Sequence, residues 1–487
     1  MQISPVFDDL NNPSTFLNHL EGLKNITDTT PHKAVLHQLI EQVKVLDFVA
    51  LANPKGADNF KLNNKHYLIL SIENVLELAK KNSWGLCKNH DFIYLYNGQY
   101  WNELDRDNLQ MFLGEAAEKM GVPVFEARYC DFREKLFKQF LSTAHLSKPE
   151  SEGSTVLVNL KNGTYEIGQQ GNRLRPFDRS DFLTYQLNFD YNPKSEAPLF
   201  QKYLDRVLPD KELQKVLAEY LGYVFTKTSD LKLEKVLLLY GGGANGKSVF
   251  FEIVKALLGE ENMSNYSLHS LSTSDYHRAM LPNKLVNYAS EINGKLETDI
   301  FKKMASGEPY EARLPYGKPF LVTNGAKLIF NSNELPKDIE HSTAFFRRFL
   351  IVPFEVTIPE GEQDKTLHKK IIEKELSGIF NWVLKIGLEP LLKQKNFTQS
   401  QKIQQAVEQF RIESDTVQQF LIENHYTPST SEGHYEFLKD LFKSYQAYCN
   451  EGGYRWLNLK NFASRLRACN YETKRMNNGT VVYAQKK

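Results

Sequence analysis

The chain has 487 residues, of which 41% are hydrophobic and 24% are charged, and its formal net charge is +1. This length accommodates three or four domains, and the near-zero charge excludes a uniformly basic surface, so any nucleic-acid contacts must lie in local patches. The sequence begins without a signal-peptide pattern, has no apolar run of membrane-spanning length, and has four scattered cysteines. We therefore expect a cytoplasmic protein without membrane contact.

Residues 1–60 are mostly helical in pattern and carry no motif that assigns them a role. Residues 61–190 are predicted to form a small α/β domain with two strand pairs. One pair is joined by an Asn-Gly turn at Asn97, and the other surrounds an Asn-Gly turn at Asn162. A helical stretch over residues 109–141 separates the two pairs.

Residues 191–395 are predicted to form an α/β core with a mainly parallel sheet and helices on both faces. Helical patterns alternate with short apolar strands over residues 235–240, 284–289, 327–331 and 349–354. Two further helices are predicted between residues 364 and 395. The alternation predicts an α/β fold in which the carboxyl ends of the strands lie at one edge of the sheet.

A glycine-rich loop follows the first of these strands and matches G-x-x-x-x-G-K-[ST] without a mismatch. Its residues, with the first residue of the next helix, are Gly241, Gly242, Gly243, Ala244, Asn245, Gly246, Lys247, Ser248 and Val249. In a strand–loop–helix context, backbone N–H groups and the helix N-terminus cradle phosphates, the lysine reaches the β- and γ-phosphates, and the serine binds Mg²⁺. The loop therefore predicts a site for a nucleoside triphosphate, with ATP and Mg²⁺ as cofactors; the alternative is a chance glycine loop.

Two polar side chains follow the second and third strands of the core. Glu291 at a strand end is predicted to be the general base for the attacking water and to share in holding the metal. Ser290 precedes it where many such ATPases have aspartate, which leaves the second metal ligand open. Asn333 is predicted to bond the γ-phosphate or the attacking water. The alternatives are a solvated strand-end glutamate and a turn asparagine.

Arg347 and Arg348 come directly before the fourth strand, between phenylalanines. An arginine at a subunit edge can reach the γ-phosphate of a neighbouring subunit and stabilise the charge of the transition state. Solvated arginines without a role are the alternative.

The order of these elements resembles that of the superfamily 3 helicases, a hexameric branch of the AAA+ ATPases. The layout is similar to that of phage, plasmid and poxvirus primase–helicases, and to the replication initiator helicases of staphylococcal pathogenicity islands and cassettes. The segment 301–308, followed by Glu311-Ala-Arg313, looks like a further family motif whose equivalents build a hairpin that lines the pore. The resemblance covers most of the chain from about His66 and is most specific in the core.

The resemblance implies an ATP-driven homo-hexamer that unwinds DNA. It implies that Arg348 is the arginine finger, that Arg347 is its neighbour at the nucleotide, and that Lys302 touches nucleotide across the subunit interface. Lys318, with Tyr316 beside it, is predicted to grip single-stranded DNA at the hairpin turn. An ordinary exposed hairpin is the alternative.

Residues 396–487 are predicted to be a separate winged-helix DNA-binding domain. A polar joint at 396–402 precedes a helix with Ser414 as its N-cap, then two helices and a hairpin with an Asn-Gly turn. The basic residues predicted to contact DNA are Lys460, Arg465, Arg467, Lys474 and Arg475. The domain would read origin duplex or dock a partner, and a helical lid with solvated charges is the alternative.

The sequence as a whole predicts a helicase that starts replication of a mobile genetic element. Residues 1–60 are too short to hold a primase domain, so a separate primase or polymerase is an expected partner. One alternative is a non-translocating AAA+ switch that binds DNA or loads a helicase. Another is a small-molecule kinase, which explains neither the paired arginines nor the basic C-terminal domain.

Overall fold

The computed structural model describes residues 30–57, 59–89, 92–144, 155–168, 171–290, 292, 297–315, 317–333, 342–429, 433–454 and 456–486. Packing divides the chain into two compact units, one that ends at Tyr191 and one that begins at Asn192. We call them the N-terminal unit and the C-terminal unit. In the part of the chain that the structure describes, no helix is both long and apolar enough to cross a membrane.

Helices form the core of the N-terminal unit. They are α1 (His32–Gln42), α2 (Phe48–Ala52), α3 (Asn64–Lys81), α4 (Arg106–Met120), α5 (Val124–Arg128) and α6 (Cys130–Thr143). Their apolar faces meet in one buried cluster, to which Leu39 contributes from α1, Phe48 from α2 and Leu109 from α4. Helices α1 and α2 therefore share the core of the residues that follow, rather than forming a body of their own.

Two antiparallel sheets of three strands complete the N-terminal unit. The first contains β1 (Gly85–Asn89), β2 (Phe92–Tyr96) and β3 (Trp101–Glu103), and the second contains β4 (Val156–Leu160), β5 (Gly163–Gly168) and β6 (Gly171–Arg175). Both predicted hairpins are confirmed. Strands β1 and β6 were not predicted, because each has a glycine at its start and only one large aliphatic residue, so neither shows a strand pattern.

A parallel sheet of five strands is the centre of the C-terminal unit. Its strands are β7 (Val236–Tyr240), β8 (Met263–Ser264), β9 (Val286–Ala289), β12 (Lys327–Ser332) and β13 (Phe349–Pro353), and their spatial order is β13-β7-β12-β9-β8. Every pair is parallel. The predicted α/β core with a parallel sheet is confirmed, and the two-residue edge strand β8 is added to it.

Helices surround this sheet and connect its strands. They are α7 (Pro198–Val207), α8 (Lys211–Tyr223), α9 (Lys247–Leu258), α10 (Leu268–Thr273), α11 (Asp275–Arg278), α12 (Thr298–Ser306), α13 (Thr343–Phe346), α14 (Leu367–Trp382), α15 (Glu389–Gln394) and α16 (Gln401–Glu413). A π-helical turn over Val383–Leu388 joins α14 to α15, so the two helices predicted between residues 364 and 395 form one nearly continuous helix. An antiparallel hairpin, β10 (Tyr310–Arg313) and β11 (Pro319–Val322), lies between α12 and β12.

Helix α16 belongs to the core, although the sequence analysis placed it in a separate C-terminal domain. Phe410 on α16 is fully buried and packs edge-on against Phe346 and Phe349 beside the sheet. Before the helix, Phe397 stacks on Tyr220, and the Thr398 hydroxyl donates a 2.6 Å hydrogen bond to the buried Glu219 carboxylate. The polar pattern of residues 396–402 hid these contacts, because only one large apolar residue of that stretch reaches the core.

The C-terminal unit has a second apolar cluster, separate from the core around the sheet, and this cluster begins only after α16. Ser414 ends α16 by donating its hydroxyl to the Phe410 carbonyl, and Asp415 caps the next helix by accepting from the backbone N–H groups of Val417 and Gln418. The predicted N-cap at Ser414 is therefore wrong by one residue. Val417 and Phe420 belong to the new cluster, so the break in packing falls near residue 415.

We call residues 416–486 the C-terminal segment. Its elements are α17 (Thr416–Glu423), β14 (Tyr426–Pro428), β15 (Glu436–Phe437), α18 (Leu438–Glu451), α19 (Leu459–Ala468), β16 (Thr473–Met476), β17 (Gly479–Val482) and β18 (Ala484–Lys486). The predicted order of three helices followed by a hairpin is confirmed. Strand β15 adds to the hairpin to give a three-stranded antiparallel sheet in the order β15-β17-β16.

Candidate functional site

The glycine-rich loop 241–248 connects β7 to α9, as the sequence predicts. Gly241 and Gly246 both have positive φ, at +155° and +87°, in the region that favours glycine. A Cβ on Gly241 would lie 2.4 Å from the Phe354 carbonyl oxygen, and a Cβ on Gly246 would lie 2.7 Å from the Val207 side chain. The loop is therefore pressed between β13 and α7, and its backbone curves in a way that only glycine at these two positions allows.

Lys247 and Ser248 begin helix α9 at the end of this loop. The Lys247 ammonium group is turned back onto the loop and donates to the carbonyl oxygens of Gly241 at 2.5 Å and Gly242 at 3.0 Å. Burial lowers its pKa. Ser248 is exposed at the helix N-terminus, where backbone N–H groups lack intrahelical partners. A loop of this form can hold phosphate oxygens, and the lysine then exchanges carbonyl oxygens for phosphate.

An open cavity of about 700 Å³ lies over the loop and is large enough for a nucleotide. One wall is the glycine-rich loop itself, and Asn333 also lines the cavity. The opposite walls come from α7, with Leu199, Tyr203 and Val207, and from residues 358–370. Helix α7 is held in place by Glu375 of α14, whose carboxylate accepts from the backbone N–H groups of Leu199 and Phe200 at 3.0 and 2.8 Å.

The carboxyl ends of the strands meet at the edge of the sheet that carries the loop. Asn333 follows β12 directly, next to β7, and is exposed toward the cavity. Ser290 follows β9 and is also exposed. Glu291, the predicted base, lies outside the described residues. The order β7-β12-β9 places Asn333 between the glycine-rich loop and the strand that precedes Glu291.

Two buried tyrosines support this edge, and sequence reasoning missed both. The Tyr203 hydroxyl on α7 donates to the Gly246 carbonyl oxygen at 2.8 Å. The Tyr288 hydroxyl on β9 donates to Asn331 Oδ1 on β12 at 2.9 Å, so it connects the strand before Glu291 with the strand before Asn333. A tyrosine in a fully buried strand is a sequence feature that could have indicated the second contact, because a buried phenol needs a partner.

No group of three His, Cys, Asp or Glu side chains is placed to hold a metal ion among the residues that the structure describes. A Mg²⁺ ion in such a site is commonly held by one hydroxyl or carboxylate, the phosphates of the nucleotide and water, so a dedicated cage is not required. The exposed Ser248 hydroxyl at the helix start fits the role of that single protein ligand.

The paired arginines lie on the opposite side of the sheet from the glycine-rich loop, near the amino ends of the strands. They precede β13, which pairs with β7 from its first residue, so they lie beside the amino end of β7 while the glycine-rich loop lies beyond its carboxyl end. Five residues of strand separate these ends, about 16 Å. The arginines therefore cannot serve the glycine-rich loop of their own chain.

The two arginines differ in what they contact. The Arg348 side chain is only 8% exposed, and it donates to the Ser306 hydroxyl at 2.9 Å and to the Ala344 carbonyl. The Arg347 side chain is 59% exposed and donates to the Glu234 carboxylate at 3.1 Å. Arg348 was predicted to be the arginine finger, but in this structure Arg347 is the arginine with a guanidinium group on the surface.

The other predicted interface and DNA residues lie on separate elements. Lys302 is part-buried on α12, 3.9 Å from Asp299. Lys318 is exposed in the turn between β10 and β11, as predicted for a hairpin tip, and Tyr316 lies outside the described residues.

The basic residues of the C-terminal segment fall into two groups. The exposed group lies on α19 and β16 and consists of Lys460, Arg467, Lys474 and Arg475. Arg465 does not belong to it, because its guanidinium group is ion-paired with the buried Asp415 carboxylate. Asp415 also caps α17, so Arg465 joins α19 to the start of α17. Arg465 therefore has a structural contact in this segment, and its predicted contact with DNA stays a prediction.

Comparisons with known proteins match parts of the chain. A family of unknown function, DUF5906, matches residues 239–348, and a D5 N terminal like family matches residues 75–209. The first match contains the glycine-rich loop, Asn333 and both arginines. A protein of Acanthamoeba polyphaga mimivirus named "Putative helicase L207/L206" is 25% identical over 236 residues, which are 45% of this chain and 24% of that protein. The chain thus spans about a quarter of that relative's length.

Solved structures give a weaker likeness. Two apo structures of the NrS-1 C terminal region are 13% and 14% identical to this chain, with TM-scores of 0.46 and 0.45. Each alignment covers 84% of this chain and 97% of the other.

Proposed function

We propose that this chain is an ATP-dependent DNA helicase that acts in DNA replication. The observation that carries the proposal is the glycine-rich loop, which opens into a cavity of about 700 Å³ with Lys247 and Asn333 at its wall. The name of the mimivirus relative supports the assignment to helicases. The arrangement within the core supports the narrower assignment to the AAA+ ATPases of superfamily 3.

In this proposal ATP binds with its phosphates on the loop. Backbone N–H groups and Lys247 neutralise the phosphate charge, and Ser248 holds Mg²⁺, which supplies further charge neutralisation when bound. Glu291 takes the proton of the attacking water. Asn333 orients that water or the γ-phosphate from the end of β12. Tyr288 keeps the two strand ends in register through its bond to Asn331.

The position of the arginines supports a homo-oligomer. Because they lie at the far edge of the sheet from their own loop, an arginine can complete only the site of another copy. A closed ring satisfies this requirement for every copy at once, since each interface is head-to-tail. A hexamer is the ring that the superfamily 3 resemblance implies.

DNA would be held at two places in this assembly. The β10–β11 hairpin with Lys318 at its turn would follow one strand in the pore, driven by ATP hydrolysis. The C-terminal segment has the element order of a winged helix, and its exposed basic residues on α19 and β16 would contact origin duplex. In a mobile genetic element such a protein would open the origin and rely on a separate primase or polymerase.

Strand displacement on a forked DNA tests the proposal. The parental protein should displace the labelled strand only with ATP and Mg²⁺, and Lys247→Ala should not. Glu291→Gln should still bind ATP but should neither hydrolyse it nor displace the strand, because binding does not need a base. ATP hydrolysis that DNA does not change, together with no displacement by the parental protein, would contradict the helicase assignment.

A second candidate is a non-translocating AAA+ switch or helicase loader. It is favoured by the separate apolar cluster of the C-terminal segment, which allows duplex binding without any contribution from the hairpin. This candidate predicts ATP-dependent changes in duplex binding and no strand displacement. It also predicts that substitution of Lys318 changes nothing.

A further inference from the structure

Glu234 has an uncommon backbone and an uncommon set of neighbours. Its φ is +54°, in the left-handed region that residues other than glycine rarely adopt. Its carboxylate lies 3.1 Å from Arg347, 3.5 Å from Lys232 and 3.7 Å from Arg348. A strained backbone that points one carboxylate at three cations indicates a position maintained for function.

The neighbourhood of Glu234 is otherwise cationic. Lys235 is half-buried beside it and donates to the Arg347 carbonyl oxygen at 2.5 Å, which fixes the backbone of that arginine. Burial, and then the charge of Arg347, lowers the pKa of Lys235. Glu308 lies 3.8 Å from Lys232 at the margin of the group. Without Glu234, the amino edge of β7 would present several close cations and no carboxylate beside Arg347.

Such a group of cations attracts phosphate, and Glu234 competes with phosphate for Arg347. Arg348 does not take part in the exchange, because its guanidinium group is buried on Ser306. Arg347 is free to turn, since its side chain is 59% exposed while its backbone is fixed by Lys235. A partly exposed ion pair of this kind is weak, so a multiply charged phosphate can displace it.

We infer that Glu234 is a positioning residue that holds Arg347 in the resting chain and releases it to the triphosphate bound by a second copy. The inference rests on the proposed function, because the phosphate belongs to a neighbouring glycine-rich loop. In this inference Arg347 is the arginine that moves to the triphosphate of the second copy, and Arg348 has a structural role. It also gives a reason for a glutamate at a position where glycine would remove the backbone strain.

Glu234→Gln is the first test, since it keeps the backbone and the size of the side chain and removes only the charge. Competition for Arg347 is lost, so the ATP concentration for half-maximal hydrolysis should fall about two- to five-fold, with kcat unchanged. The matched control is Glu308→Gln, which removes one negative charge from the same group without a contact to Arg347. This control should leave the half-maximal concentration unchanged.

The same substitution in an Arg347→Ala background separates positioning from folding. The effect of Glu234→Gln should disappear there, since the competing partner is gone. An equal effect in both backgrounds, or no effect in either, would overturn the inference. Glu234→Gly is a second variant in case Glu234→Gln folds poorly, and it should give the same fall in half-maximal ATP concentration together with a higher Tm, because glycine relieves the left-handed backbone.

A mixing experiment keeps this inference distinct from the proposed function. Lys247→Ala lacks a working loop but offers Arg347, whereas Arg347→Ala has the loop and lacks the arginine. Together they should recover ATP hydrolysis that neither has alone. Recovery with no effect of Glu234→Gln rejects only the role of Glu234, while absence of recovery rejects both the role of Glu234 and the contribution of Arg347 to a second copy.

Discussion

The carboxyl ends and the amino ends of the strands in the five-stranded sheet present groups for binding charge in different ways. We call these two sides of the sheet the carboxyl edge and the amino edge. The carboxyl edge uses backbone, since the glycine-rich loop and the start of α9 offer N–H groups in a concave surface. The amino edge uses side chains, and its two arginines are held by Glu234 and Ser306. A backbone cradle is formed before any ligand arrives, whereas a side-chain cation must leave one partner for another. In the proposed function the carboxyl edge would therefore bind the nucleotide, and the amino edge would respond to the nucleotide of another copy.

The largest effect should come from the carboxyl edge. Lys247→Ala removes the ammonium group that faces the loop carbonyls and should reduce ATP turnover by about 10³-fold or more, because no other described cation lies on the loop itself. Thermal unfolding should be little changed. Lys255→Ala is the control on the same helix, where an exposed ion pair with Glu260 is removed and turnover should be unaffected. Equal turnover in the two variants would contradict the role of the loop.

A deletion tests whether the amino edge depends on α16. Ending the chain before residue 396 removes Phe410 from its packing against Phe346 and Phe349, and a loss of this size costs about 3–5 kcal/mol of stability. Ending it after Ser414 keeps this packing. The shorter chain should aggregate or unfold early, while the longer one should retain basal ATP hydrolysis.

The longer deletion variant should also bind duplex DNA less tightly. Lys460, Arg467, Lys474 and Arg475 would be absent, and the salt dependence of binding should flatten by about one unit of slope for each phosphate that these side chains neutralise in the full chain. If this variant binds duplex DNA with unchanged affinity and selects the same origin, then the N-terminal unit recognises the origin. The C-terminal segment would then dock a partner protein.

Arginine substitutions compare two neighbours at the amino edge. Arg347→Ala should lower turnover about 10²–10³-fold without loss of stability, because its guanidinium group is on the surface. Arg348→Ala should instead cost about 2–4 kcal/mol of stability, since it leaves the buried Ser306 hydroxyl and Ala344 carbonyl without this donor. Denaturant unfolding and single-turnover hydrolysis measure the two quantities. If Arg348→Ala instead loses turnover and Arg347→Ala loses stability, Arg348 is the arginine finger.

The difference between these two arginines also shows which features of the structure could be predicted from the sequence and which could not. The glycine-rich loop, the strands around it and the C-terminal helices have local patterns, so spacing and periodicity were enough. Which of two adjacent arginines is buried depends on Ser306, 42 positions earlier in the chain, and no local pattern indicates that interaction. The same applies to Arg465 with Asp415 and to Phe410 with Phe346, which are tertiary contacts of residues that resemble surface or linker positions.

The hairpin turn gives a smaller and more selective effect. Lys318→Ala removes an exposed cation that lies away from the loop, so basal ATP hydrolysis should be unchanged. Strand displacement and stimulation by DNA should fall about tenfold, because the cation expected to contact the phosphates of the single strand is lost. The exposed Lys369 on α14 is a suitable control for removal of a surface charge. A loss of basal hydrolysis in Lys318→Ala would place this residue at the nucleotide or in the fold instead.

The smallest effect concerns a buried cation at the amino edge that lies against a ring and a hydroxyl. Lys327, the first residue of β12, lies 4.0 Å from the centre of the Tyr223 ring and 3.1 Å from the Thr228 hydroxyl. Burial lowers its pKa to about 7. In the unfolded chain the pKa returns to its ordinary value near 10.5, so between these values the unfolded chain holds a proton that the folded chain does not.

Stability should therefore rise with pH from about 7 to 10, and below pH 7 the cost of burying the charge is present in full. Lys327→Met removes this cost while it keeps the volume of the stem, so it should stabilise the protein by about 1–2 kcal/mol at pH 6, after allowance for the cation–π interaction with Tyr223 that the substitution removes. The gain in stability over the parental protein should shrink as pH rises toward 9, because Lys327 in the folded parental protein is neutral at that pH. Urea unfolding at pH 6, 7.5 and 9 measures the difference, with Lys369→Met as the exposed control. A gain that does not change with pH would mean that Lys327 is solvated, and that the amino edge carries its cations without an energetic cost.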